Sequence, residues 1–311
     1  MARPILYALG SAVLFGASTP FAKLLAGEVD PWLLAGLLYL SSGVGLAAAR
    51  LVRDRGWSAS GLKQGEGRWL LAAIGAGGAV APVLLMFGLT MTSGSQASLL
   101  LNLEVVLTAI IAWLVFHENA NRRVITGLAA IVVGGALLTW KVHPMQEQGW
   151  VGPLLVASAT LGWALDNNLT RKVSSADALF VAAVKGLMAG AINTGVALAL
   201  AGKMPGLATL SGVFVVGALG YGASLVLFVL ALRGLGAART GAYFAIAPFV
   251  GAGLSLVVVG ETTSPLFWVA ALLMAIGVWL HVTEVHDHWH WHGTLHHKHP
   301  HVPDAEHQHR H

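Results

Sequence analysis

The chain has 311 residues, 56% of them hydrophobic and only 10% charged, whereas a soluble globular domain carries about 25% charged residues. That balance excludes a water-soluble fold, and the absence of cysteine excludes disulfide frameworks, thiolate catalysis and thiolate metal sites. The formal charge of +4 does not point to nucleic acid, because the basic residues sit in short loops between apolar runs.

A helix needs roughly 20 apolar residues to cross the hydrocarbon core. In chain order, the segments that qualify are Pro4–Leu25, Trp32–Val52, Trp69–Met91, Ser95–Phe116, Val124–Trp140, Val151–Thr170, Ala178–Leu200, Leu210–Leu232, Thr240–Val259 and Leu266–Val282. The first reads as a retained span rather than a cleaved signal peptide, since many similar segments follow it. Turn-like breaks such as Gly27–Pro31, Asp54–Gly67 and Glu261–Pro265 separate the runs. Trp32, Trp69, Trp140, Trp150 and Trp268 fall at segment ends, where amphipathic rings prefer the interface.

Alternate loops differ sharply in Lys and Arg. One side collects twelve, from Arg3 through Arg50, Arg53 and Arg55 to Arg233 and Arg239, while the other holds Lys23, Lys141 and Lys203. The positive-inside rule then predicts cytoplasmic N- and C-termini, in a multi-pass protein of the bacterial inner membrane.

Sliding the first half by 143 residues lays Leu101–Leu138 over Phe244–His281. Both copies end an apolar helix at a glutamate (Glu118, Glu261) and begin another containing a glycine (Gly134, Gly277). Gly16–Lys23 likewise resembles Gly162–Arg171, setting Ser18-Thr19-Pro20 against Asp166-Asn167-Asn168. Five crossings per copy is an odd number, so the copies must run in opposite senses. The predicted fold is therefore an all-α membrane protein of ten transmembrane helices in two inverted five-helix repeats, residues 1–142 and 143–282, followed by a His-rich tail over 283–311 without fixed structure. Inverted repeats of this kind place a binding site near the midplane, between the halves.

The stretches APVLLMFGLTMTSGSQASLLLNLEVVLTAIIAWLVFHENANRRVITGLAAIVVGGALL (81–138) and YGASLVLFVLALRGLGAARTGAYFAIAPFVGAGLSLVVVGETTSPLFWVAALLMAIGVWL (221–280) resemble the two EamA repeats of the drug/metabolite transporter superfamily. The resemblance runs over residues 4–282 and implies ten helices, cytoplasmic termini and secondary transport of small organic solutes, often amino acids or other metabolites moved outward. The second repeat has the expected proline, Pro248, before Gly260-Glu261. The first departs from the pattern, with Glu104-Val105 at the matching place.

An ionisable side chain at the bilayer centre is costly and marks function by default. Glu104 is the clearest case: beside Asn102, near mid-depth of an otherwise apolar helix, it is suited to proton exchange or to binding a cationic group. Lys185 lies two turns into the seventh helix, free to snorkel to the interface, or to face a cavity opposite Glu104 and suit an amphoteric solute. Asp166, Asn167 and Asn168 occupy successive positions, so at least one points into the bundle; Asp166 can neutralise Arg171 or Lys172. Thr19 adjoins Pro20, which removes a backbone donor and loosens the first helix. The candidate substrate-binding or coupling residues are Glu104, Asn102, Lys185, Asp166, Asn167 and Thr19. Gln96, Tyr221, Arg239 and Tyr243 read as interfacial anchors, and Glu118 and Glu261 as equivalent helix stops.

Twelve of the 14 histidines follow Leu280. Neutral imidazole is a good ligand for Zn, Ni and Co, and His286, His288, His290, His292, His296 and His297 are the candidate tail ligands. No resident cofactor is required. The expected partners are the lipid bilayer and a small-molecule solute. No GxxxxGK[ST] loop offers a nucleotide site, and no GxSxG or matched nucleophile and base suggests an enzyme. The leading expectation is thus a secondary transporter exporting small organic metabolites by alternating access. The alternative is a divalent transition-metal efflux permease using the tail.

Overall fold

The computed structural model describes residues 2–56, 58–116, 122–140, 149–173, 175–200, 202–235, 237–283, 286–292 and 295–301. Glu118 therefore lies outside the described residues. In lipid a backbone must satisfy its own N–H and C=O groups, and these sequences do so as helices. They are α1 Ala2–Leu25, α2 Pro31–Asp54, α3 Gly67–Met91, α4 Gly94–Leu100 continued by Leu103–Phe116, and α5 Arg122–Thr139. The second set comprises α6 Val151–Thr170, α7 Ala178–Ala199, α8 Leu207–Leu235, α9 Ala237–Phe244 continued by Ala247–Leu254 and Ser255–Val259, and α10 Pro265–Val282.

Nine of these helices, among the described residues, are long and apolar enough to cross a membrane. The tenth, α6, has 20 residues and carries the polar triplet Asp166-Asn167-Asn168, which lowers its apolarity. Starts are set by local chemistry. The Asp30, Ser93, Asp177 and Ser264 side chains accept from Leu33 N, Gln96 N, Phe180 N and Phe267 N, satisfying donors that the first turn leaves open. Pro31 and Pro265, at the first helical position of α2 and α10, lack the donor that would go unused there.

The repeat seen in sequence is also geometric. α3 loosens into a π-helical stretch at Ile74–Val80 and α8 does so at Gly217–Ala223, both ends displaced by the same 143 positions. α4 is interrupted at Leu101–Asn102 and α9 at Ala245–Ile246. Counterpart helices pack on one another, α2 against α7 and α5 against α10. At the centre Gly43 meets Gly186, its own counterpart: a Cβ on Gly186 would stand 2.7 Å from Gly43 Cα, and one on Gly43 would stand 2.4 Å from Leu187 N. Gly127 touches Gly277, and the counterpart contact joins Gly134 to Ala270. Contacts that map onto each other under a 143-residue exchange are what an approximate two-fold axis through the Gly43–Gly186 crossing requires, and small residues along it let the backbones approach.

Beyond α10, β1 His286–His292 pairs antiparallel with β2 Leu295–His301. β1 alternates His with Asp or Trp, and this period-2 pattern fits a strand.

Candidate functional site

Alternate loops leave two unlike ends. One, here called the basic face, carries Arg50, Arg53, Arg55, Arg171 and Lys172; the opposite face carries Glu28, Asp30 and Glu261. A cavity of about 770 Å³ runs between them for part of the depth. It is lined at its inner end by Tyr39, Asp166, Lys185 and Tyr221, and Arg171 and Ala176 lie toward the basic face. Leu225, Phe228 and Val229 of α8 supply much of its apolar wall.

At the inner end the two carboxylate oxygens of Asp166 accept from Lys185 Nζ at 2.5 and 2.6 Å. Thr170 Oγ1 donates to Asp166 at 2.9 Å and accepts from Lys185 at 3.3 Å. The side chains of both charged residues are largely buried, so each is compensated mainly by the other. This arrangement corrects the pairings that sequence suggested, in which Lys185 would face Glu104 and Asp166 would neutralise Arg171 or Lys172. Depth along a helix is readable from sequence, but the rotation that brings α6 to α7 is not.

Glu104 is half-buried just after the interruption in α4, one side chain removed from the cavity. Its Oε1 accepts from Asn167 Nδ2 at 2.7 Å, and Asn167 in turn lines the cavity. Asn168 reaches Thr108 O at 3.3 Å and Ala164 O at 2.8 Å, so the polar triplet of α6 serves both the cavity and the α4 contact. Asn102 is buried, with its side-chain amide donated to Leu99 O where the helix breaks. Thr19 is buried within an α1 that continues through Pro20. Neither Asn102 nor Thr19 is among the cavity-lining residues.

Several site residues have no charge to announce them. Gly77, in the π-helical stretch of α3, makes room for the ion pair: a Cβ there would lie 2.3 Å from Asp166 Oδ2. Tyr39 donates to Gly77 O at 3.3 Å and accepts from Trp163 Nε1 at 3.1 Å, joining α2, α3 and α6. The sequence signal was available in Gly75, Gly77 and Gly78, a small-residue cluster where lipid-facing helix needs none. In the other half Gly220 receives Ser18 in the same way, and Ser42 lines the cavity at the position that Lys185 occupies 143 residues later. The Asp166–Lys185 ion pair thus belongs to the second half only.

At the opposite face a contact joins the two halves. Glu261, after α9, accepts Gly94 N–H at 2.5 Å and Ser95 N–H at 2.8 Å, the first two residues of α4. An anion is favoured at that end of a helix. Beside it Lys23 Nζ donates to Leu89 O, while Gln96 accepts from Thr92 and donates to Leu138 O. Glu261 is more than a helix stop: it fastens one repeat to the other. Trp140, Trp150 and Trp268 are exposed at helix ends, as interfacial anchors are.

Comparison with known proteins agrees with this architecture. A relative from Methanothermobacter thermautotrophicus, named an uncharacterized transporter, is 25% identical over 286 residues, covering 87% of this chain and 83% of its own. A crystal structure of a protein 20% identical in sequence, matched over 90% of this chain and 96% of that one, has the same fold at a TM-score of 0.64. The model of the EamA-like transporter family matches residues 2–140 and again 150–283. A cavity between inverted helical repeats and a family match over both of them lead to one assignment: the chain belongs to the EamA-like transporter family, as a multi-pass membrane protein.

Proposed function

We propose that this protein is a secondary transporter that exports small organic metabolites, amino acids or related amphoteric compounds among them, by alternating access. The observation that carries the reading is a cavity reached from the basic face that ends, near mid-depth, on an ion pair and an amide-tethered carboxyl group. A solute bearing both charges can exchange partners with Asp166 and Lys185, so neither ion is left bare while cargo binds. The apolar wall of Leu225, Phe228 and Val229 accepts an uncharged portion of the solute. Glu104, coupled to the cavity through Asn167, is placed to exchange a proton with the transported species or with the driving gradient.

With the basic face cytoplasmic by charge bias, this shape is the inward-open state, and opening of the Glu261 contact would accompany the switch outward. The protein then resides in the bacterial inner membrane with both termini in the cytoplasm. Metal efflux finds less support. Among the described residues no three His, Asp or Glu side chains gather to hold a metal ion, and Asp166 is already engaged by Lys185.

The test is uptake into proteoliposomes over a panel of amphoteric and neutral solutes, with wild type beside Glu104→Gln. The expected result is at least one transported amphoteric solute whose pH dependence is lost in the variant. Wild-type rate and pH dependence in Glu104→Gln for every transported solute would remove the coupling assignment.

A further inference from the structure

We propose that Arg171 seals the mouth of the cavity in the outward-open state, its guanidinium binding the last turn of α8 as Lys23 binds the last turn of α3 in this structure. The inference rests on the alternating-access reading and adds the side chain that closes the basic face. Gly77 and Gly220 are counterparts, 143 positions apart, and what each receives reveals a second correspondence. A Cβ on Gly77 would stand 2.4 Å from Asp166 Cβ, and one on Gly220 would stand 2.5 Å from Ser18 Cβ. Ser18 of α1 thus holds the place that Asp166 holds on α6. Five residues further along, from 18 to 23 and from 166 to 171, each helix reaches a cation: Lys23 near the end of α1, and Arg171 directly after α6. Inversion of the repeats sets these two cations at opposite faces.

Their surroundings differ as the two ends of the pathway differ. Lys23 Nζ donates to Leu89 O in the last turn of α3, and α1 packs on that part of α3. The last carbonyls of a helix lack intrahelical donors and carry the negative end of its dipole, so a cation is favoured there. Arg171 is exposed and lines the open cavity, of which α6 and α8 are both walls. Positions 231–234, in the last turn of α8, are 143 beyond positions 88–91 in the last turn of α3. When the repeats exchange shapes, Arg171 reaches those carbonyls, draws α6 to α8 and narrows the mouth, while Lys23 leaves the end of α3. A contact made in one state only shifts the balance toward that state. Removing either cation should therefore move the equilibrium, and in opposite directions.

The full-length chain in proteoliposomes tests this with Ser98→Cys as reporter, in a protein that has no other cysteine. Ser98 is buried. An impermeant maleimide is applied from the face that carries Glu261, and Lys23→Met, Arg171→Met or Lys172→Met is added to the reporter. Elution volume and thermal transition establish that each variant is intact. The expected result is labelling at least fivefold faster with Lys23→Met, at least fivefold slower with Arg171→Met, and within twofold of the reporter alone with Lys172→Met. Unchanged or faster labelling with Arg171→Met would overturn the proposal, as would an unchanged rate with Lys23→Met. An equal slowing by Lys172→Met would assign the effect to the charge of the basic face and overturn it as well. Solute transport by wild type together with unaltered labelling in Arg171→Met would remove this inference and leave the transporter reading standing. The three expected rates without transport of any solute would do the reverse.

Discussion

Lys185 and Asp166, 19 positions apart on α7 and α6, meet at 2.5 Å at the inner end of the cavity. A buried ion pair adds little net stability, yet removing one partner leaves the other uncompensated, at a cost of about 3 kcal/mol. Lys185→Met or Asp166→Asn alone should therefore lower the thermal transition in detergent. The double variant Asp166→Asn/Lys185→Met should recover most of that loss and still fail to transport amphoteric solutes. A double variant as unstable as the singles would mean that the pair is not the relevant partnership.

Gly77 offers a second approach to the same pair without altering charge. A methyl group at this position would occupy the space of the Asp166 carboxylate, so Gly77→Ala should displace Asp166 from Lys185. Gly75, where a Cβ meets nothing within 4 Å, is the control. Transport by Gly77→Ala should fall at least tenfold, with Gly75→Ala near wild type; equal activity in the two proteins would mean that the close approach is dispensable.

The contact of Glu261 with the start of α4 predicts a gate on the opposite face. Because the native chain has no cysteine, a single Ser98→Cys, at a buried position below this contact, can report access by a membrane-impermeant maleimide. Adding Glu261→Ala should raise the labelling rate at least fivefold. An unchanged rate would show that the contact does not hold that face shut.

Asp177 predicts a pH dependence at the basic face. Burial pushes its carboxyl upward, but the Phe180 N–H and the charges of Arg53 and Arg50 outweigh that and hold it below the ordinary carboxylate range. An unfolded aspartate titrates near a pKa of about 3.9. The native state therefore binds fewer protons than the unfolded one just below that value. The stabilisation is present above about pH 4 and is lost as pH falls through the native value. Asp177→Asn keeps a capping oxygen and loses the charge, so it should cost about 1 kcal/mol at neutral pH. Its thermal transition should change less than that of wild type between neutral pH and about pH 3; parallel curves would assign the acid sensitivity to other groups.

Sequence alone determined the membrane architecture and the depth of each polar group, because hydropathy and residue spacing are read along a helix axis. The ten helices, their 143-residue repeat, and Glu104, Asp166 and Lys185 as polar groups within apolar spans were all legible this way. Tertiary structure decided everything that depends on rotation about those axes and on which helices are neighbours. It gave Lys185 to Asp166 and Glu104 to Asn167, left Asn102 and Thr19 away from the cavity, and turned Glu261 from the end of one repeat into the fastening of the other. It also made Gly77 and Tyr39 part of the site, residues whose importance comes from the space and backbone carbonyls around them rather than from any charge of their own. Period and composition fix what a helix can bury. Only packing fixes what it buries against.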